Sequence, residues 1–139
     1  MQINIIYWSG TGNTETMAKL IQESAQSAGA SVTLKDVSKA SAADLECDVL
    51  ALGCPSMGAE TLEESEFEPY IASIEEQVSG KKLALFGSYG WGDGEWMRDW
   101  ARRMENAGAV LAVESLIVNE APSGEDELKC RVFGTDIAK

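Results

Sequence analysis

The chain of 139 residues contains no histidine, only three cysteines and no long apolar run. Without histidine it lacks the commonest metal ligand and the usual general base. The cysteines Cys47, Cys54 and Cys130 are odd in number and widely spaced, which favours reduced thiols over disulfides or a metal site. No apolar run reaches the roughly 20 residues of a membrane-spanning helix, and no secretion signal is visible. We therefore expect a cytoplasmic protein.

Positive charge is also scarce, since 11 basic residues face 23 acidic ones and the net charge is -12. Such a chain should repel nucleic acid and anionic membranes and attract basic protein surfaces. We expect any complexes with basic proteins to be transient and sensitive to salt. Composition alone leaves open that the acidity serves only solubility.

Short apolar runs alternate along the chain with segments of helical periodicity. The runs at 3–8, 48–54, 82–88 and 109–118 predict buried strands, the last bent near Glu114, and residues 31–35 predict an edge strand. The segments 13–28, 67–78, 96–107 and 125–138 predict helices, and 38–45 predicts one helical turn. Strands alternating with helices indicate an α/β fold with a parallel five-stranded sheet covered on both faces, here in a single domain spanning residues 1–139.

Ligands of such folds bind beyond the carboxyl ends of the strands. The loops that follow predicted strands are therefore the candidate site: residues 9–14, 55–66, 89–94 and 119–122.

The first of these loops, Ser9–Thr14, joins a predicted strand to a predicted helix. Its two glycines allow a tight turn, its side chains add neutral donors, and the helix N-terminus favours an anion. The lysine of a triphosphate-binding P-loop is missing, and Glu15 stands where a dinucleotide-binding loop has its third glycine. The loop therefore predicts a monophosphate site, with an ordinary glycine turn as the alternative.

The segment Tyr7–Thr14 (YWSGTGNT) resembles the FMN phosphate loop of flavodoxins, in the short-chain, clostridial type. The resemblance continues through residues 52–58 (LGCPSMG), 85–96 (LFGSYGWGDGEW) and 116–120 (LIVNE). It implies the flavodoxin-like doubly wound sandwich with strand order 2-1-3-4-5 and one FMN held without a covalent bond. Transferred position by position, it predicts these FMN-binding residues: Ser9, Gly10, Thr11, Gly12, Asn13, Thr14, Pro55, Ser56, Met57, Gly58, Ala59, Glu60, Ser88, Tyr89, Gly90, Trp91, Gly92, Asp93 and Asn119.

The resemblance also assigns roles around the flavin ring. Trp91, flanked by glycines, would stack on the outer face and Met57 on the inner face, whereas Trp96 and Trp100 have the spacing of core residues. The Gly58 peptide would turn on one-electron reduction so that its carbonyl accepts a hydrogen bond from flavin N5, and Glu60 would bind the pyrimidine edge. If residue 59 took a positive φ in that state, Ala59 would oppose it by roughly 1 kcal/mol.

Seven carboxylates crowd the second and third loops and are named here the acidic rim: Glu60, Glu63, Glu64, Glu66, Glu68, Asp93 and Glu95. Fixed negative charge disfavours an anionic hydroquinone, so the rim predicts a low potential for the last reduction step. Together with the resemblance, this charge predicts an electron carrier, not an enzyme, that cycles between semiquinone and hydroquinone. We expect it to act as a monomer in transient, salt-sensitive complexes with basic or ferredoxin-type redox proteins. The alternative is a flavodoxin-fold NAD(P)H:quinone oxidoreductase, for which the only nearby cations are Arg98, Arg102 and Arg103, whose spacing fits a solvated helix face.

Overall fold

The strands form one parallel sheet in the computed structural model, which describes residues 1–139. The strands are β1 (Gln2–Tyr7), β2 (Ser31–Asp36), β3 (Val49–Gly53), β4 (Lys82–Tyr89), β5 (Val110–Leu111) and β6 (Leu116–Asn119). The order β2-β1-β3-β4-β5 confirms the predicted 2-1-3-4-5 arrangement, with β6 continuing along β4 where β5 ends. The predicted fifth strand is thus split at residues 112–115, around the bend expected near Glu114.

Four helices cover the sheet: α1 (Asn13–Ser27), α2 (Phe67–Ile74), α3 (Glu95–Asn106) and α4 (Glu125–Ile137). The helix predicted over 67–78 is shorter than expected, because α2 tightens into a 3-10 turn at Glu75–Gln77. The turn predicted within 38–45 consists of two 3-10 turns, Val37–Lys39 and Ala42–Leu45. No helix combines the length and apolar character that a membrane crossing requires.

Two apolar layers lie on opposite faces of the sheet. Ile6, Leu52 and Leu85 face the layer that contains α2 and α3, whereas Ile5 and Phe86 face the layer formed with α1 and α4. Alternate residues of each strand thus enter alternate layers, as the period of a buried strand requires. The predicted core positions of Trp96 and Trp100 are confirmed, since both are almost fully buried, Trp100 against Phe67 of α2 and Trp96 against Tyr89 of β4.

The carboxyl ends of β3 and β4 approach each other closely. A Cβ on Gly87 would lie 2.1 Å from the Cys54 carbonyl oxygen, so only glycine fits there. The same carbonyl accepts a hydrogen bond of 3.2 Å from the Trp96 indole nitrogen on α3. These contacts fix the start of the loops that follow β3 and β4.

The second loop ends in a buried carboxylate at the start of α2. Glu63 is only 5% exposed, and its carboxylate accepts hydrogen bonds from the N–H groups of Ser65, Glu66 and Phe67 and from the Ser65 hydroxyl. Burial by itself would raise the pKa of Glu63, but the four hydrogen bonds outweigh it and lower the pKa to about 2. Glu63 is therefore an ionised cap of α2.

Glu63→Gln should lower the free energy of unfolding at pH 7 by about 1–3 kcal/mol, because an amide oxygen replaces the ionised acceptor. The pKa of Glu63 is about 2 in the folded chain against 4.5 without the fold. Its contribution is therefore complete above pH 4.5 and falls away as the pH drops towards 2. Urea unfolding between pH 7 and pH 3 should show a gap between wild type and variant that narrows with acid. Exposed Glu64→Gln is the control, and a gap independent of pH would contradict the assignment.

Candidate functional site

Loops from the ends of three central strands and β6 meet around one cavity of about 220 Å³ at the carboxyl edge of the sheet. Nine predicted site residues line it: Gly10, Thr11, Asn13, Pro55, Ser56, Met57, Ser88, Tyr89 and Gly90. Ser9, Gly12, Thr14, Gly58–Glu60, Trp91–Asp93 and Asn119 lie outside that lining. The cavity coincides with the switch point of the strand order, between β1 and β3, where this class of sheet binds its ligands.

The loop between β1 and α1 is shaped by the side chain of Ser9. Its hydroxyl oxygen accepts hydrogen bonds from the N–H groups of Gly12 (3.1 Å) and Glu15 (3.2 Å). Gly12 holds φ at 99°, a conformation that other residues rarely adopt. The N–H groups of Gly10, Thr11, Asn13 and Thr14 donate to no group of the protein.

Free N–H groups beside a helix N-terminus form a cradle for an anion of phosphate size. Glu15, the nearest carboxylate along the chain, accepts a hydrogen bond of 3.1 Å from the Tyr7 hydroxyl and lies 3.5 Å from the Lys19 ammonium. No lysine or arginine occurs within the loop itself. The donor set therefore fits the terminal phosphate of FMN through neutral groups.

Two predicted site residues join the first loop to the third beneath the cavity. The hydroxyl oxygens of Thr14 and Ser88 lie 2.9 Å apart, and the Ser88 N–H donates to the Thr14 hydroxyl at 3.4 Å. Both side chains are buried. The pair ties the start of α1 to the end of β4 and so fixes the two loops relative to each other.

The second loop contains a tight turn. Met57 and Thr61 exchange backbone hydrogen bonds of 2.9 Å in both directions, and the residues between them include Gly58 at φ 47° and Glu60 at φ 56°. Ala59 has no positive φ in this structure. The positive φ at position 58 is one that glycine adopts readily, whereas Glu60 is held in a backbone conformation that is unusual for a residue with a side chain.

The side chain of Glu60 connects this turn to the Trp91 loop. One of its carboxylate oxygens accepts a hydrogen bond of 3.1 Å from the Glu95 N–H at the start of α3. A Cβ on Gly92 would lie 2.5 Å from the carboxylate carbon, so the two loops are in direct contact. Trp91 itself is 63% exposed and makes no part of the core, in contrast to Trp96 and Trp100.

The acidic rim is smaller than the sequence predicts. Glu63 is buried as the cap of α2, and Glu68 forms a two-point ion pair with Arg103 at 2.7 Å. Arg103 also binds Glu75 at 2.7 Å, so it bridges α3 to α2, and the predicted solvated position is wrong for this residue. Arg98 and Arg102 are exposed as predicted and pair with Asp93 and Asp99.

These ion pairs bear on the alternative reaction. Each of the three α3 arginines forms an ion pair with a carboxylate, and none of them lines the cavity. The exposed carboxylates of the rim that make no ion pair are Glu64, Glu66 and Glu95.

Two residues that line the cavity are absent from the predicted set. The Trp8 ring lies 2.9 Å from the position of a Cβ on Gly10, and Trp8 directly precedes the phosphate loop. Glu120, at φ 60°, donates its N–H to the Tyr89 carbonyl at 2.8 Å and closes the last matched block. Both residues lie within the matched segments 7–14 and 116–120, next to predicted site residues, so counting every residue of those segments would have found them.

Comparison with known proteins agrees with this geometry. The family model described as flavodoxin matches residues 5–134. The flavodoxin of Clostridium beijerinckii is 52% identical over 137 residues, which is 98% of this chain and 99% of the relative. That of Megasphaera elsdenii is 45% identical over 138 residues, or 99% and 98% of the two chains. The solution structure of two-electron reduced Megasphaera elsdenii flavodoxin has a TM-score of 0.89 at 43% identity over 98% of both chains.

Gly12→Ala should weaken FMN binding roughly 5- to 30-fold, because a Cβ at φ 99° costs about 1–2 kcal/mol and the relaxed loop turns its N–H groups away. Gly29→Ala is a matched control: Gly29 has φ 102° and equally open surroundings, but lies after α1, away from the cavity. Both variants should lose similar stability in urea, and only Gly12→Ala should lose affinity in a flavin fluorescence titration. Equal affinity for both variants would show that the loop does not hold the phosphate.

Proposed function

Since the chain belongs to the flavodoxin family of electron-transfer flavoproteins, we propose that it carries single electrons at low potential on one FMN. Members of this family bind FMN, and its closely similar members are electron carriers rather than enzymes. The observation that carries the proposal is the Ser9–Thr14 loop, whose unpartnered N–H groups suit a monophosphate without any cation. When bound, FMN supplies the redox chemistry, and the protein supplies its setting.

The remaining predicted residues surround the ring in this proposal. Met57 packs on the inner face and exposed Trp91 on the outer face, as a large flat apolar ring requires. Glu60 holds the two loops together through Glu95 and binds the pyrimidine edge. Gly58 turns its carbonyl towards the ring to accept a hydrogen bond from N5–H, a movement that its lack of a Cβ permits.

The charges set the potential. No basic side chain lines the cavity, and Glu120 lies within it. A carboxylate about 10 Å from the ring, at an effective dielectric of 20–40, adds roughly 1–2 kcal/mol against a further negative charge, or about 35–70 mV. Glu64, Glu66 and Glu95 therefore favour cycling between the one-electron-reduced and fully reduced forms at low potential.

The exposed part of the rim also determines the partners in this proposal. Unpaired carboxylates beside the Trp91 loop attract basic redox proteins into brief, salt-sensitive complexes. The carrier acts as a monomer, because a net charge of -12 opposes self-association. Three free cysteines agree with a reducing cytoplasm.

Stepwise reduction of the FMN-loaded protein should show two well-separated one-electron steps in its visible spectrum. Coinciding steps with no intermediate absorbance would contradict one-electron transfer.

Ala59→Gly should raise the first potential by roughly 40 mV, equivalent to about 1 kcal/mol, if residue 59 moves to a positive φ on reduction. Ala72→Gly, on the exposed face of α2, controls for a general loss of rigidity, and an unchanged potential in Ala59→Gly would show that residue 59 keeps its negative φ.

Neutralising the rim with Glu64→Gln and Glu66→Gln should raise the second potential by tens of millivolts. It should also slow oxidation by cytochrome c, a basic electron acceptor, and flatten the dependence of that rate on ionic strength. The control pair Glu46→Gln and Glu76→Gln changes the net charge equally at the amino end of the strands. Equal effects from the two pairs would assign the result to net charge and overturn the local role of the rim.

A further inference from the structure

The two edges of the sheet differ in their protection. The β2 edge carries Lys35, which is paired with Asp44, and Asp36. The opposite edge, residues 110–119, has no lysine, arginine or proline, and its only charged residue is Glu114. Free strand edges are usually guarded by charge or proline, since they offer unpaired backbone groups to another chain. The edge of β5 and β6 lacks that guard.

Concave apolar surfaces flank this edge on both faces of the sheet. A cavity of about 590 Å³ lies between β6 and α4, and its lining includes Leu116, Leu128 and Val132. A second, of about 390 Å³, lies on the α3 side and includes Met97 and Leu111. The 590 Å³ cavity is larger than the one at the predicted FMN site.

Exposed aliphatic side chains concentrate here as well. The exposed fraction is 52% for Val110, 61% for Leu128 and 49% for Val132. The other large apolar side chains that are exposed to this degree are those of Met1 and Trp91. Side chains of an added strand would point alternately to the two faces, and each face offers a cavity. The edge therefore has both elements of strand addition: free backbone and pockets for alternate side chains.

Charge distinguishes between possible occupants of the edge. Glu114 lines both cavities and makes no ion pair, and Glu125 and Glu127 in the first turn of α4 are also unpaired. One cation also lines each cavity, Lys129 the larger and Arg98 the smaller, and these pair with Asp126 at 4.0 Å and Asp93 at 3.0 Å. An acidic second copy of this chain, with its own net charge of -12, would be repelled.

We propose that the free edge of β5 and β6 binds an extended basic segment of a partner protein as an added strand. Aliphatic side chains at alternate positions of the segment fill the two cavities, and a lysine or arginine between them pairs with Glu114. The surface is separate from the FMN-binding loops, so the proposal stands whether or not electron transfer is the function.

A capped seven-residue peptide that alternates valine with threonine and lysine is the probe, added to the FMN-loaded, isotope-labelled protein. Amide chemical shifts should change along residues 110–119 and α4. Two control peptides should bind at least tenfold more weakly. In one, glutamate replaces lysine, which removes the positive charge, and in the other, proline replaces two of the valines, which removes backbone N–H donors. Failure of the basic peptide to bind, shifts confined to the acidic rim, or equal binding of all three peptides would each overturn the proposal.

Two sets of variants locate the contact on the protein. Leu128→Ser with Val132→Ser removes exposed side chains only, and should weaken the basic peptide at least tenfold while leaving the fold intact. Glu114→Lys should reverse the preference between basic and acidic peptides, whereas Glu46→Lys, equal in charge change and distant from this edge, should not. Undiminished binding of the basic peptide by either edge variant would overturn the proposal. So would a dimer, seen by sedimentation of the wild type and lost in Leu128→Ser with Val132→Ser, because the occupant of the edge would then be a second copy of this chain.

Discussion

The Ser9 hydroxyl accepts the N–H groups of Gly12 and Glu15, and this pair of bonds sets the loop where β1 meets α1. By engaging those two groups it leaves their neighbours free to face an anion. The left-handed Gly12 makes the turn possible, and the Thr14–Ser88 hydrogen bond anchors it to the third loop. An anion site built from backbone dipoles requires this rigidity, because free N–H groups that could rearrange would find partners within the protein.

The same rigidity extends across the carboxyl edge by direct contacts. Gly87 lets β4 approach Cys54, the indole of Trp96 binds the Cys54 carbonyl, and Glu60 joins the Met57 turn to α3. The large exposed surface of Trp91 therefore rests on a fixed base.

Sequence patterns predicted the strands and helices, because the strands of a buried parallel sheet are continuous apolar runs such as residues 48–54. The strand order came from the resemblance to flavodoxins. The patterns could not predict which acidic residues stay on the surface. Glu63 lies among other acidic residues in a polar segment, and only the fold shows that three N–H groups at the start of α2 converge on it. Arg103 fits the exposed face of α3 by spacing, yet α2 and the 3-10 turn after it pack close enough to supply Glu68 and Glu75. Trp8 and Glu120 were missed for a different reason, since both lie within matched segments but were not assigned a role there.

The carboxylates of the acidic rim and of the residues beside it fall into two groups. Glu63, Glu68 and Glu75 stabilise α2 and its contact with α3, so their charge is already balanced by hydrogen bonds or by Arg103. Glu64, Glu66 and Glu95 have no such partner, and an unpaired surface charge acts on whatever approaches. Carboxylates that stabilise the fold and carboxylates that face water thus lie side by side in the same acidic segment. The difference lies in the contacts of each carboxylate: Glu68 and Glu75 lie 2.7 Å from Arg103, whereas Glu64, Glu66 and Glu95 are exposed to water.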